Sequence, residues 1–251
     1  LLREESMTEE IVIVGAGTGG SVLANDLAER LDTEIDAGDV RVTLVNDSPD
    51  HVYKPVWLYV PFGKRESEDG RRPLSELVDD RVDLRIDRVT DIDTDAKRLE
   101  YRDGTGPTEY DRLVLATGST LAPDEVPGLQ EGGFDFYSED GAEALREELL
   151  SFTEGHIVLS VVGTPHMCPA APLEFVFMTD AWFRERGLRD DVEITYTYPV
   201  NRVHGNPNIA EWARPKMDER DINVETFFNA EEVDPDEQVI ASMEGSELEY
   251  D

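Results

Sequence analysis

The stretch that decides the fold is Glu10-Ile-Val-Ile-Val-Gly15-Ala-Gly17-Thr-Gly19-Gly20-Ser-Val-Leu-Ala24. A short apolar run leads into the pattern G-x-G-x-x-G, and an amphipathic helix follows at once. In this pattern Gly15 makes the tight turn, Gly17 lets the backbone approach a pyrophosphate, and Gly20 permits close packing of helix on strand. The N–H groups of the first helical turn then hold the diphosphate. The stretch therefore predicts a dinucleotide-binding βα unit.

A second strand, predicted at residues 40–45, completes a right-handed βαβ unit. The side chain that grips the adenosine ribose comes at the end of this strand and is acidic as a rule. Here the strand ends in Asn46-Asp47, so either Asn46 or Asp47 takes this role. Residues 49–76 are rich in proline and glycine, which predicts a long functional excursion with short helical pieces.

Residues 82–103 alternate apolar and polar side chains, which predicts short antiparallel strands, the first of them at 82–86. A buried strand then ends in Ala116-Thr117-Gly118. Small residues at this point let the backbone pass close to a bound cofactor. We expect this strand to close the dinucleotide-binding half-domain.

The rest of the chain predicts a second unit of the same kind, because helices at 138–150, 172–186 and 208–220 alternate with strands at 157–162, 192–198 and 222–228. The predicted fold class is thus α/β with two Rossmann-like (three-layer ββα) domains, at 7–135 and 136–251. The final Glu249-Tyr250-Asp251 repeats Glu109-Tyr110-Asp111, which precedes the first closing strand. We therefore expect an N-terminal portion of a longer protein, truncated on its C-terminal side, with residues 1–6 as an upstream extension.

The charge is unusual: 57 acidic residues stand against 23 basic ones, for a formal net charge of −34. Such a surface repels a polyanion, so a nucleic acid is excluded as a partner. The acidic residues are spread along the whole chain, a pattern typical of proteins kept soluble at very high salt, where screening removes the self-repulsion. We interpret it as halophilic adaptation. No targeting peptide or apolar membrane span is present, which favours a cytoplasmic location.

The turn after strand 157–162 reads Gly163-Thr-Pro-His-Met-Cys168-Pro-Ala-Ala-Pro172. Only the first glycine of a pyrophosphate-binding turn is kept, so NAD(P)H binding is disfavoured here. Instead, Cys168 lies at or just before a helix N-terminus, where the dipole lowers the pKa of a thiol and supports a nucleophilic thiolate. The alternative is a small core residue. As the only cysteine, Cys168 excludes an internal disulfide and a cysteine-based zinc cluster.

These motifs, in this order, together with Tyr53-Lys54-Pro55, resemble the sulfide:quinone oxidoreductases, which are flavoproteins of the disulfide-reductase superfamily. The most specific stretch begins at Cys168 and runs to Asp180, because the family has a cysteine, a Gly/Ala-Pro turn and a glutamate six residues on at this place. The resemblance covers essentially all of residues 10–251.

The resemblance implies an FAD/NAD(P)-binding type of fold, FAD as the cofactor, and oxidation of sulfide or a related sulfur donor through a thiolate–flavin adduct, with quinone as electron acceptor. It implies Cys168 as the flavin-side nucleophile, Glu174 as proton acceptor or orienting group, and His204 near the sulfur site. It also implies peripheral membrane contact through a later C-terminal region. The cofactor-binding positions that we expect are Gly15, Gly17, Gly20, Asn46, Asp47, Pro55, Val89, Ala116, Thr117 and Gly118.

Two departures and two alternatives accompany this interpretation. The partner cysteine of Cys168 would lie beyond Asp251, and the additional cysteine common before helix 138–150 is absent. One alternative is a type II NADH:quinone dehydrogenase-like flavoprotein, and the other is a non-catalytic nucleotide-binding module. The histidines form no defensible metal spacing, so no metal is predicted, and the oligomeric state is left open.

Overall fold

The computed structural model describes residues 8–102 and 106–251, so the expected upstream extension lies outside the described residues. The chain divides into two compact units. The first unit comprises the chain up to Lys54 together with Glu68–Thr120, and the second comprises Pro55–Ser67 together with Leu121–Asp251. The sequence-based boundary at 135/136 therefore differs from this division, which also gives residues 55–67 to the second unit.

The elements of the first unit in chain order are β1 (Glu9–Val14), α1 (Thr18–Arg30), α2 (Asp32–Ala37), β2 (Val40–Asn46), β3 (Asp50–Val52), β4 (Arg71–Pro73), α3 (Leu74–Leu77), β5 (Asp83–Ile86), β6 (Val89–Asp93), β7 (Arg98–Tyr101), β8 (Thr108–Glu109) and β9 (Arg112–Leu115). The unit is built on a parallel sheet of order β5-β2-β1-β9. Helix α1 follows β1 directly, as the glycine pattern predicts, and its alanines pack on the sheet in an apolar core. Two small antiparallel sheets, β3-β4 and β6-β7-β8, complete the unit.

One strand assignment from the sequence is wrong. Residues 82–86 were expected to pair in an antiparallel sheet, but β5 runs parallel to β2, with Thr43 opposite Asp83 and Asn46 opposite Ile86. Strand β5 thus forms an edge of the parallel sheet. An alternating pattern predicts a strand with one face covered, and an edge strand of a parallel sheet satisfies it as well as a hairpin strand does.

The elements of the second unit in chain order are α4 (Leu129–Gly132), α5 (Glu139–Ser151), β10 (Gly155–Ser160), α6 (Ala171–Arg186), β11 (Val192–Tyr198), α7 (Pro207–Asp218), β12 (Ile222–Thr226), β13 (Ala230–Asp234), β14 (Val239–Ser242) and β15 (Glu247–Glu249). The unit contains a parallel sheet of order β10-β11-β12 and an antiparallel sheet β13-β14-β15. The long helix α6 buries much of its surface in the largest apolar cluster of the described residues.

The repeated Glu-Tyr-Asp triplet corresponds to a repeated structure. The N–H of Asp111 donates to the carbonyl of Glu10 at 2.9 Å, and the Asp111 carboxylate accepts from the N–H of Glu10 at 2.9 Å. Asp251 makes the same pair of bonds with His156, at 3.0 and 2.8 Å. In both units an aspartate therefore makes two hydrogen bonds to the backbone of the second residue of the leading parallel strand.

The 55–67 segment belongs to the second unit through its aromatic and apolar side chains. Leu58 and Phe62 are buried in the cluster that contains α6. The ring of Phe62 lies 5.0 Å from that of Phe175 and 6.0 Å from that of Trp182. Within the second unit this segment therefore covers one side of α6.

No helix among the described residues is long and apolar enough to cross a membrane.

Candidate functional site

The glycine-rich turn of the first unit is held in one conformation by its own neighbours. Gly15 has φ of 102°, and a Cβ there would lie 2.4 Å from the carbonyl oxygen of Ala116. A Cβ on Gly20 would lie 1.8 Å from the carbonyl oxygen of Gly15. Any side chain at Gly15 or Gly20 would collide with backbone, which explains why glycine is required at these two motif positions.

Gly17 serves a different purpose, since a Cβ there would meet no atom within 4 Å. It is the N-cap of α1, with no side-chain cap and no acidic residue in the first helical turn. The N–H groups of Thr18 and Gly19 are therefore free of a competing carboxylate from that turn, and both residues are exposed. An uncapped and open helix N-terminus fits a diphosphate, so the residues present suit the phosphates of a dinucleotide.

The peptide of Ala16, inside the turn, is fixed from three sides. Its N–H donates to Asn46 Oδ1 at 2.9 Å, and its carbonyl accepts from Ser21 Oγ at 2.9 Å. His51 Nδ1 lies 3.1 Å from the same carbonyl and acts as a donor, because a carbonyl can only accept. The amide nitrogen of Asn46 donates to the carbonyl of Ser48 at 2.8 Å. Both ends of the Asn46 amide are thus used within the loop.

Asp47 is the next residue and differs sharply from Asn46. It is exposed, and the described residues give its carboxylate no hydrogen-bond partner. The sequence left open which of the two side chains would meet a ribose. The loop contacts favour Asp47 for that role, because Asn46 already holds the glycine-rich turn.

The remaining expected cofactor positions lie in both units. Ala116 follows β9, and its N–H donates to the carbonyl of Val14 at 2.8 Å, so that it continues the sheet beside the glycine-rich turn. Thr117 and Gly118 are exposed, and Gly118 has φ of 71°. Val89 begins β6 and packs, partly buried, on a satellite apolar cluster of the first unit. Pro55 is exposed at the start of the 55–67 segment and belongs to the second unit.

Cys168 occupies a strained turn three residues before α6. Its φ of 51° is left-handed, a conformation that costs a non-glycine residue about 1–2 kcal/mol. Two donors hold its carbonyl: the N–H of Ala171 at 3.0 Å and the hydroxyl of Tyr137 at 3.3 Å. The side chain is exposed and free of any disulfide. The thiol is accessible and the backbone that carries it is strained, whereas a core cysteine would be buried. The structure therefore does not support the alternative that Cys168 is a small core residue.

Tyr137 is a contact that the sequence analysis did not single out. Its ring stacks on Phe136 at 5.0 Å, and Phe136 stacks on Phe175 of α6 at 4.2 Å with nearly parallel planes. Burial raises the pKa of Tyr137, and the nearby Cys168 raises it further. The phenol therefore stays protonated at neutral pH and remains a hydrogen-bond donor to the cysteine turn.

The other two expected catalytic residues have contrasting environments. Glu174 lies in the first turn of α6, exposed, and its carboxylate makes no hydrogen bond to the described residues. His204 is 5% exposed, and its Nδ1 accepts the N–H of Asn206 at 2.9 Å. A second histidine that the sequence analysis passed over, His166, packs edge-on against Tyr198 with ring centroids 6.2 Å apart. Its position two residues before Cys168 was the only signal for it.

The N-terminus of α6 is a poor phosphate cradle compared with that of α1. The N–H of Ala171 is already donated to Cys168, and Pro172 has no N–H. The strand before the next loop ends at Tyr198 and is followed by Pro199, with no carboxylate for a ribose. Among residues 8–102 and 106–251, no group of three or more His, Cys, Asp or Glu side chains is arranged to hold a metal ion.

Comparison with known proteins agrees with this geometry. The sequence profile of the pyridine nucleotide-disulphide oxidoreductase family matches residues 9–251. The chain belongs to this family. Its members are FAD-dependent flavoprotein oxidoreductases. The expected α/β fold of FAD/NAD(P)-binding flavoprotein type is thereby confirmed.

Similar proteins include mitochondrial sulfide:quinone oxidoreductase of Mus musculus, which is 28% identical over 235 residues, covering 91% of this chain and 50% of the relative. The X-ray structure of sulfide:quinone oxidoreductase from Aquifex aeolicus superimposes with a TM-score of 0.81 at 22% identity, over 96% of this chain and 56% of that one. A type II NADH:quinone oxidoreductase of Staphylococcus epidermidis is 30% identical over 128 residues, 50% of this chain and 30% of the relative. The chain thus spans about half the length of the sulfide:quinone oxidoreductases it matches.

Proposed function

We propose that this protein is the FAD-binding, cysteine-bearing part of a sulfide:quinone oxidoreductase, in which the Cys168 thiolate is the flavin-side nucleophile. The observation that carries the proposal is the start of α6. In a nicotinamide-binding relative this turn has to cradle a pyrophosphate. Here it offers few free N–H groups and presents an exposed thiol on a strained backbone.

FAD fits the first unit through the open N-terminus of α1 beyond Gly17, which would hold its diphosphate. Asp47 would hold its ribose, while Asn46, Ser21 and His51 keep the Ala16 peptide in place. When bound, FAD supplies a two-electron acceptor that the side chains of this protein lack. Quinone is the proposed final acceptor, and the membrane that contains it is the proposed site of peripheral contact.

The roles of Asp47 and Asn46 are separable by mutation. Asp47→Ala should weaken FAD binding about tenfold with unchanged stability, because its carboxylate supports no contact within the described residues. Asn46→Ala should instead lower the free energy of unfolding by about 1–2 kcal/mol, because it leaves the Ala16 N–H without its acceptor. Flavin titration and urea unfolding measure the two effects. Equal effects of both variants on flavin affinity and stability would contradict this division of roles.

Within the second unit, Cys168 would supply the thiolate of the thiolate–flavin adduct, and the hydroxyl of Tyr137 would hold the turn that presents the thiol. Glu174 is placed to exchange protons with solvent, because it is exposed at the beginning of α6. His204 is buried in the loop after β11 and is available as a fixed polar group. A second function, that of a type II NADH:quinone oxidoreductase, is favoured only by the partial likeness to relatives of that name.

The test is an anaerobic visible spectrum of the FAD-loaded protein in molar KCl, recorded before and after addition of sulfide and, separately, of NADH. We expect sulfide to bleach the flavin band and NADH to leave it unchanged, with the sulfide effect lost in Cys168→Ala. Bleaching by NADH alone would assign the protein to the dehydrogenases. Flavin that responds to neither donor would support the non-catalytic module.

The acidic composition leads to a related proposal, that the protein is adapted to high salt. With a net charge of −34, self-repulsion opposes the compact state until salt shortens the Debye length to about 3 Å at 1 M. The midpoint of thermal unfolding should therefore rise steeply between low salt and molar KCl. A midpoint that is independent of salt would contradict the adaptation.

A further inference from the structure

Lys54 brings a positive charge to the carboxyl edge of the parallel sheet in the first unit. Its Nζ donates to the carbonyl oxygen of Ser119, which lies 3.5 Å away. Ser119 follows directly after Ala116-Thr117-Gly118, in the loop that begins where β9 ends at Leu115. Ligands of open α/β sheets bind at this edge. The exposed ammonium of Lys54 therefore stands where a cofactor of this unit has to lie.

The segment that carries Lys54 is tied to the glycine-rich turn. His51, three residues earlier, donates from Nδ1 to the carbonyl of Ala16 at 3.1 Å. The N–H of Tyr53 donates to the carbonyl of Gly70 at 2.8 Å. The backbone next to Lys54 is thus fixed beside the turn, and only the lysine side chain has to move to meet a ligand.

The protein does not neutralise the charge of Lys54. Although 57 acidic residues stand against 23 basic ones, the described residues give Lys54 no carboxylate as an ion-pair partner. A cation whose side chain bonds only to a carbonyl keeps its charge for a ligand. Several other cations of the first unit are paired with an aspartate or a glutamate, namely Arg30, Arg41, Arg81, Arg98 and Arg112.

The order of the strands decides which half of FAD Lys54 meets. Strand β1 lies between β2 and β9 in the sheet. FAD with its adenosine ribose at Asp47, after β2, and its diphosphate at α1, after β1, continues in the same direction past the end of β9. The flavin half of the cofactor therefore comes to Ser119 and Lys54, and the adenosine half does not.

We propose that Lys54 is a further cofactor-contacting residue, whose ammonium stabilises the negative charge of the reduced isoalloxazine ring and so raises the reduction potential of bound FAD. On full reduction at neutral pH the ring takes up two electrons and one proton, so it gains one negative charge. In the proposed function the sulfur donor supplies the electrons and solvent supplies the proton. A charge near N1 or N5 of the ring is one means by which a protein tunes a flavin. The inference rests on the FAD site of the proposed function and does not depend on which donor reduces it.

The first test is the reduction potential of the FAD-loaded protein, measured against a reference dye during slow anaerobic reduction by xanthine and xanthine oxidase in molar KCl. Lys54→Met should lower the equilibrium constant of the two-electron reduction about tenfold, which lowers the midpoint potential by about 30 mV. Lys54→Arg keeps the charge and should stay close to the unmutated protein. An unchanged potential in Lys54→Met would overturn the proposal. Weaker binding of oxidised FAD without a change in potential would also overturn it, in favour of a contact with the diphosphate.

Lys97 provides the matched control. Its Nζ also lies 3.5 Å from a backbone carbonyl, that of Asp111. Asp111 precedes β9, however, so Lys97 stands at the amino edge of the same sheet, opposite to Lys54. Lys97→Met removes the same charge from the protein and should leave the potential unchanged. A fall in potential equal to that of Lys54→Met would show that net charge and not position is responsible, and would overturn the proposal.

A second measurement uses the unmutated protein, which has four lysines, at 54, 64, 97 and 216. FAD should slow the acetylation of Lys54 by acetic anhydride about tenfold, because a charge-assisted contact has to break before the amine reacts. Acetylation of Lys97 and Lys216, followed by mass spectrometry in the same samples, should not change. Equal labelling of Lys54 with and without FAD would overturn the proposal even if a variant fails to fold.

Failure of this inference and failure of the proposed function give different results. An unmutated protein that takes up no FAD would overturn both. Bound flavin that ignores sulfide but has a potential that depends on Lys54 would contradict sulfide as the donor and support the role of Lys54. Bound flavin that sulfide bleaches, with the same potential in Lys54→Met, would overturn only the role of Lys54.

Discussion

Replacement of Arg189 should strongly destabilise the second unit, and the contacts of its guanidinium allow the cost to be worked out. Its Nε donates to the carboxylate of Asp180 at 2.8 Å. Its Nη1 donates to the carbonyl of Val192 at 2.6 Å, and its Nη2 donates to the carbonyls of Arg220 and Asp221, both at 2.8 Å. One guanidinium therefore joins α6, β11 and the turn after α7.

Removing this guanidinium in Arg189→Met leaves the Asp180 carboxylate, which is only 3% exposed, with Arg184 and Arg220 as its ion-pair partners. A hydrogen bond to a charged group contributes about 1.5–3 kcal/mol, and each carbonyl bond about 0.5–1.5 kcal/mol. Water can reach the carbonyl of Asp221, an exposed residue, and recovers part of the loss. The Asp180 carboxylate keeps Arg184 at 2.9 Å and Arg220 at 3.6 Å, so the cost comes from the lost hydrogen bonds of Arg189. Summed and reduced for the access of water, these bonds give an expected cost of about 3–5 kcal/mol for Arg189→Met.

Arg184→Met is the matched control, because Arg184 donates to the same carboxylate at 2.9 Å from a side chain that is 47% exposed. Because the Arg184 side chain is half exposed, solvent screens this pair, and we expect its loss to cost about 1 kcal/mol or less. The assay is urea unfolding in molar KCl, followed by tryptophan fluorescence and circular dichroism. With a slope of about 2 kcal/mol per M, Arg189→Met should move the midpoint by about 2 M. A loss below about 1 kcal/mol, or one equal to that of the control, would refute the reasoning.

Three further predictions concern the two candidate sites. Gly20→Ala should abolish flavin binding, since its Cβ would lie 1.8 Å from a backbone oxygen. Gly19→Ala is the control and should retain the fold, because a Cβ there would meet no atom within 4 Å. The flavin absorbance that stays with each protein through gel filtration measures the outcome. Tyr137→Phe should slow alkylation of Cys168 about fivefold, because the lost hydrogen bond, of about 1 kcal/mol, no longer holds the turn that presents the thiol. Burial lowers the pKa of His166, so as pH falls below about 6.5 the unfolded chain takes up the proton first and the free energy of unfolding decreases. His166→Gln should flatten that part of the pH profile of urea unfolding.

Each of these has a result that would contradict it. A Gly20→Ala protein with a full complement of flavin would mean that the turn can open without cost. An unchanged alkylation rate in Tyr137→Phe, in a chain whose only thiol is Cys168, would remove the tyrosine from the site. A pH profile of stability identical in His166→Gln and in the unmutated protein would show that the buried ring does not titrate differently in the two states.

Local sequence determined the first βα unit, the second Rossmann-like unit and the position of Cys168 just before a helix. Glycines at 15, 17 and 20 act through backbone conformation and close approach within a few residues, so their spacing can be read directly. The same holds for the prolines around Cys168, which limit where α6 begins. The repeated triplets that end at Asp111 and Asp251 were also visible in the sequence, although the hydrogen bonds that their aspartates make to a strand were not.

Tertiary structure alone decided the pairing of β5 with β2, the place of the 55–67 segment in the second unit, and the choice between Asn46 and Asp47 as the freer side chain. These depend on partners distant in the chain: Asn46 bonds to Ala16, and Phe62 packs on Phe175. The buried Nε2 of His166, for which the described residues offer no hydrogen-bond partner, belongs to the same class. Whether a polar atom is buried and unsatisfied is set by every element packed around it, and no periodicity or spacing in a single sequence carries that information.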